Sequence, residues 1–118
     1  MLELQWMTKK FAVETVRFVE SLNKTMPQAI MGKQLLRSGT SVGANYRAAM
    51  RSKSPADFIA KMGIVEEEAD ECMYWMELLH ETGAVTPDQI QRLQDMANQI
   101  VAMTVKSIKT ARTASRIS

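Results

Sequence analysis

Glycine, proline and aromatic residues are scarce in this 118-residue chain: 5 Gly, 3 Pro, and 6% Phe, Trp and Tyr combined. Turn formers and β-favouring side chains at that level nearly exclude an all-β fold. Cysteine occurs once, as Cys72, so no intrachain disulfide can form. No basic, apolar, small-residue cleavage sequence opens the chain either, and a reducing cytoplasm is the expected compartment. The longest uncharged stretch near the C-terminus, Met96 to Val105, is about half the roughly 20 residues a membrane helix needs. What is present is average for a soluble protein, 46% hydrophobic and 24% charged, rich in the helix formers Ala, Leu, Met, Glu, Lys, Gln and Arg. One folded domain over residues 1–118 is expected.

Ser54-Pro55-Ala56-Asp57 and Thr86-Pro87-Asp88-Gln89 each place a capping hydroxyl, a proline suited to the first helical position, and an acid or amide at the third. A third start falls at Pro27, after Lys24-Thr25-Met26, and Gly83 is placed to end the helix before Thr86. These signals predict four helices over about 2–23, 27–51, 55–82 and 87–114, with 115–118 as a frayed basic tail. Links of a few residues oblige successive helices to lie antiparallel, giving an up-down-up-down four-helix bundle, an all-α fold.

The third helix carries the clearest seam: Phe58, Met62, Val65, Ala69, Cys72, Met76 and Leu79 recur at alternating spacings of four and three. Leu4, Met7, Phe11, Phe18 and Leu22 do so in the first helix, interrupted near Glu14 and Thr15, and Ile90, Leu93, Ala97 and Ile100 in the fourth. Ile64, Tyr74, Trp75 and Leu78 turn away from the third seam. Val101, Val105 and Ile108 form a second stripe where the fourth seam fades into Thr104, Ser107 and Ala111. Spare apolar surface of this kind marks subunit contacts, so a homo-oligomer is expected.

Charge is segregated although the net is only +2. Residues 21–56 hold Lys24, Lys33, Arg37, Arg47, Arg51 and Lys53 with no acid, a charge of +6; residues 57–81 carry −7; residues 96–118 hold Lys106, Lys109, Arg112 and Arg116, a charge of +4. Lys33, Arg37, Thr40, Ala44, Arg47 and Arg51 share one helical face, so the second helix presents a basic ridge. Several cations along a line suit a phosphate backbone. The same pattern also suits packing of the basic helix beside the acidic one.

Catalytic and metal chemistry finds little footing. Glu77-Leu78-Leu79-His80 matches one Glu-x-x-His unit of di-iron bundles, which need two, and His80 is the only histidine. The run Glu66 to Glu71 fans around the helix axis instead of converging. Cys72 sits on the seam as a small core residue. Gly39-Thr40-Ser41-Val42-Gly43 lacks the lysine of a phosphate-cradling loop, and its two glycines, one turn apart, open a groove for close helix approach. Trp6 and Trp75 read as packing or interface aromatics, with no further aromatic placed to enclose a ligand. Tyr46 is the only aromatic near the ridge, so base stacking draws little support. No cofactor and no metal are expected.

The run Leu36-Arg37-Ser38-Gly39-Thr40-Ser41-Val42-Gly43-Ala44-Asn45-Tyr46-Arg47-Ala48-Ala49, then Asp57-Phe58-Ile59-Ala60-Lys61 and Glu67-Glu68-Ala69-Asp70-Glu71-Cys72-Met73-Tyr74-Trp75-Met76-Glu77-Leu78-Leu79, resembles the 23S rRNA intervening sequence protein family. That family is similar to the accessory protein of diversity-generating retroelements. The resemblance implies a homo-oligomer, expected to be a pentamer, of antiparallel four-helix bundles without known catalytic activity. It also implies a basic surface that, in the retroelement relatives, engages nucleic acid and reverse transcriptase. By position, Ser41 and Asn45, with Gly43 between them, match the family's second helix, and Lys61, Glu68, Ala69 and Trp75 its third. Many relatives have glutamate where this chain has Ala48, which leaves the local face more basic. Ser41 and Asn45 are expected to be buried and to hydrogen-bond across helices, setting register.

Two functional readings result. The first is a non-enzymatic oligomeric scaffold binding RNA, single-stranded DNA or a nucleic-acid enzyme through Lys33, Arg37, Arg47, Arg51, Lys53, Lys106, Lys109 and Arg112. The second is a protein–protein interaction module in which charge segregation only orders subunits. Subunit contacts are assigned to Ile64, Tyr74, Trp75, Leu78, Val101, Val105 and Ile108.

Overall fold

The computed structural model describes residues 2–117 and holds four helices: α1 Leu2–Glu20, α2 Met26–Met50, α3 Pro55–Glu81 and α4 Pro87–Ile117. Among the described residues there is no strand. The capping chemistry acts as its sequence implies. Thr25 Oγ1 accepts the Gln28 N–H at 3.4 Å and Ser54 Oγ accepts the Asp57 N–H at 3.1 Å. Before α4 the box is closed from the other side, with Gln89 Oε1 accepting the Thr86 N–H at 2.7 Å. Gly83 ends α3 in the left-handed region at φ 80°, letting the Gly83 and Ala84 N–H groups reach the carbonyls of His80 and Leu79.

Two helix ends depart from expectation. α1 stops at Glu20 and not near 23, because the Ser21 hydroxyl and N–H both turn back to the Phe18 carbonyl, at 2.6 and 3.0 Å, tightening the last turn. α4 runs on to Ile117, so Ser115 and Arg116 are helical and not a frayed tail; Ser118 lies outside the described residues. Neither glycine nor proline follows Pro87 to stop it, and the Thr110 and Thr113 hydroxyls donate to carbonyls one turn back.

The bundle measures 53 × 20 × 20 Å. α2 packs on α3, α3 on α4, and α1 on both α2 and α4; the backbones of the diagonal pairs stay apart among the described residues. One buried cluster draws on all four helices. The α3 seam from Met62 to Leu79 is fully enclosed, while Phe58 is only partly so. In α1 the break at Thr15 is no break, since Thr15 is itself buried. In α4 the seam does not fade: it continues through buried Thr104 to Ile108.

Close approach concentrates between α1 and α2. A Cβ built on Gly39 would lie 2.7 Å from Thr15 Cγ2, and one on Gly43 3.3 Å from the Thr8 carbonyl oxygen. One on Gly32 would lie 3.1 Å from Leu22 Cδ1. The glycines of α2 thus admit α1 closely, as their one-turn spacing implied.

Candidate nucleic-acid interface

The inner face of α2 is formed by Met31, Leu35, Val42, Tyr46 and Ala49, all buried. The opposite face therefore turns outward, and Lys33, Arg37, Thr40, Ala44, Arg47 and Arg51 are exposed along its whole length. Lys53, in the link to α3, and Lys106, Lys109 and Arg112, on α4, are exposed as well.

Arg37 leans onto α3. Its Nη2 donates to both carboxylate oxygens of Glu71 at 2.7 Å and its Nη1 to Glu68 Oε2 at 3.1 Å, while Nε reaches Gln34 Oε1 at 3.3 Å. The Trp75 indole N–H donates to the same Glu71 at 3.2 Å. The Arg37 guanidinium holds the Glu71 carboxyl below the usual carboxylate range, with burial opposing and the Trp75 N–H assisting. Three residues singled out separately by sequence, Arg37, Glu68 and Trp75, thus form one polar clasp between α2 and α3. Arg37 is the member of the ridge whose charge is already answered.

The other ridge cations differ. Among the described residues, Lys33, Arg47, Arg51 and Lys53 form no ion pair; the salt bridges present are those of Arg37, Lys61 with Asp57 at 2.9 Å, and Arg92 with Glu14 at 2.6 Å. Arg47 and Arg51 border a groove of about 450 Å³ between α1 and α2, with Gln5, Lys9, Ala12, Gly43 and Met50 among its lining and no acid. Sequence reasoning missed Lys9, whose placement opposite Arg47 depends on how α1 crosses α2.

Ser41 and Asn45 do not bridge helices. Asn45 Nδ2 donates to Ser41 Oγ at 2.8 Å and to the Ser41 carbonyl at 2.9 Å, both within α2 and only partly buried. Their one-turn spacing makes the local bond the shorter route. Inside the α2–α3 seam, beneath the Arg37 clasp, the Cys72 thiol meets Ser38 Oγ at 3.4 Å, and burial pushes that thiol up to about 12. Ala69 is buried beside it on the seam. Glu77 and His80 are exposed, and no group of three His, Cys, Asp or Glu among the described residues is placed to hold a metal.

Of the residues assigned to subunit contacts, Ile64 and Tyr74 are exposed at 41% and 55%. Trp75, Leu78 and Val101 are partly buried against the core, as is Val105 in its own surroundings. Ile108 must be withdrawn: at 6% exposure it belongs to the core, because the α4 seam extends one turn beyond Thr104. A different apolar face went unread. Trp6 is 60% exposed, with Val13 and Val16 on the same outer side of α1. The Lys10 ammonium lies 4.6 Å from the centre of the Trp6 ring.

Fold and surface together define a helical bundle with a polarised exterior and an enclosed, largely nonpolar interior. The family model described as 23S rRNA-intervening sequence protein matches residues 2–106, and the chain belongs to that family. It is similar to a protein of unknown function from the S23 ribosomal protein family of Bacteroides thetaiotaomicron VPI-5482, solved at 1.70 Å. The two share 38% identity with a TM-score of 0.85, over 90% of this chain and 98% of the other. No curated protein matches. No helix is long and apolar enough to cross a membrane among the described residues.

Proposed function

We propose that this chain is a non-enzymatic, homo-oligomeric scaffold of the cytoplasm that binds RNA, single-stranded nucleic acid or a nucleoprotein through its basic side. The observation that carries the reading is the row of exposed α2 cations left without acids: Lys33, Arg47 and Arg51, joined by Lys53, stand beside an acidic α3 whose Glu68 and Glu71 are spent on Arg37. An up-down-up-down path adds to it. As α2 advances through Gly32, Gly39 and Gly43, its neighbours on α1 recede through Val19, Thr15 and Thr8. With links of a few residues, such a path returns the basic end of α4 to the end of the bundle that holds Arg51 and Lys53. Lys106, Lys109 and Arg112 then extend the same positive field.

Subunit contact is assigned to Ile64, Tyr74, Trp75, Leu78, Val101 and Val105, and a ring of five is proposed from the family's likeness to retroelement accessory proteins. Binding of structured RNA and single-stranded DNA across a salt titration tests the reading. The expected logarithmic slope is about −0.7 to −0.9 per phosphate contact, reduced in magnitude by Arg47→Glu with Arg51→Glu while helicity and subunit number hold. Absence of binding at low salt would overturn it.

A second reading, a protein-interaction module, draws on the Arg37 clasp, since it is the arrangement expected if charge segregation serves packing. That reading expects Arg47→Glu with Arg51→Glu, cations without an acid in their own chain among the described residues, to dissociate the oligomer, whereas the first leaves the oligomer whole.

A further inference from the structure

The outer side of α1 combines two features that the α2 ridge lacks. The first is an exposed aromatic plane: Trp6 is the most exposed aromatic among the described residues, and it is flanked by cations, with Lys10 over its ring and Lys9 one turn on. The second is continuity with the basic groove. Gln5 and Lys9 border both the shallow hollow around Trp6, Lys10 and Val13 and the groove that holds Arg47 and Arg51. None of the residues bordering either concavity is acidic, and none of Lys9, Lys10, Arg47 and Arg51 forms an ion pair among the described residues. Small side chains at Ala12, Gly43 and Ala44 keep the groove open between its cations.

We infer that this face of α1 and α2 is a single-strand site, in which an unpaired base stacks on Trp6 while the adjoining phosphates lie over Lys9, Arg47 and Arg51. A strand with its bases splayed out offers a π-face to the indole and a phosphate row to the groove at once. A duplex keeps its bases stacked inside and satisfies only the cations. The inference rests on the nucleic-acid reading above and sharpens it from phosphate binding in general to single strands. A second copy of this chain, presenting its acidic α3, is the competing occupant; it would answer the cations but brings no base to stack on the exposed Trp6 ring.

The test compares a single-stranded RNA of about ten nucleotides with a duplex of the same sequence on the full-length protein. In a Trp75→Phe background Trp6 is the only indole, since the chain has 2 Trp. Its fluorescence should be quenched by the single strand and not by the duplex. Trp6→Ala should weaken single-strand binding roughly tenfold with the salt slope unchanged, and Trp6→Phe should restore most of it. Arg47→Glu should instead reduce the slope for both probes. Salt-dependent binding of both probes that ignores Trp6→Ala would overturn the single-strand site and leave the broader reading standing. Loss of the oligomer in Trp6→Ala would assign the face to subunit contact and overturn the site as well. No binding of either probe would overturn both.

Discussion

The two flanks of α2 hold their neighbours by different means. Toward α1, glycine brings backbones together: Gly39 sits against the β-branched Thr15 and Gly43 against the Thr8 backbone, with no ion pair joining the two helices among the described residues. Toward α3, the core side chains are large, Leu35, Met62, Val65 and Met76 among them, and a charged clasp closes the edge. The first seam depends on the absence of atoms and so tolerates none being added. The second depends on bulk and charge and so responds to pH and salt.

The strongest way to break the first seam is Gly39→Ala. The new methyl would lie 2.7 Å from Thr15 Cγ2, and Thr15 is enclosed and stiff about χ1, so backbone must move. A loss of about 1–3 kcal/mol is expected in denaturant unfolding, despite the gain in helix propensity. Gly63 on α3 supplies the control, since nothing lies within 4 Å of its built Cβ. Gly63→Ala should stabilise by about 0.5–1 kcal/mol, and if both changes shifted the midpoint the same way the steric account of α1–α2 would fail.

Thr15→Val sharpens the same comparison from the other side. The Thr15 hydroxyl is buried without a hydrogen-bond partner, so an apolar isostere should raise stability by an amount on the order of 0.5 kcal/mol. The smallest effect belongs to the α2–α3 clasp. Glu71 has its carboxyl lowered from 4.5 by Arg37, so the clasp contributes fully above that value and its contribution fades as pH falls through the lowered folded value. Arg37→Gln should flatten the acid limb of the stability profile and leave the neutral plateau nearly unchanged, because the pair is largely exposed.

Much of the fold could be read from local chemistry. Caps at Thr25, Ser54 and Thr86 and the stop at Gly83 act through groups within five residues, so a linear sequence carries them whole. The α3 seam was equally legible, since the period of a helix depends only on its own backbone. The ridge on α2 followed from the same geometry, and its exposure is the consequence of Leu35, Val42 and Ala49 lying opposite.

Tertiary packing decided the rest. The α4 seam ran on past Thr104 because a threonine with neighbours on every side is enclosed whatever its polarity. Ser41 and Asn45 turned to each other and not across a seam, because a partner one turn away within the helix is reached at no cost in helix placement. Arg37 alone among the ridge cations found acids, since the position of Glu68 and Glu71 against it depends on the relative rotation of two helices. The same holds for Lys9 beside Arg47, separated by most of two helices in sequence and joined by the groove that Gly43 leaves open. Sequence by itself determined which residues can share a helical face, because that is local backbone geometry; only the packed bundle decided which faces meet, because that is set by the fit of side chains far apart in the chain.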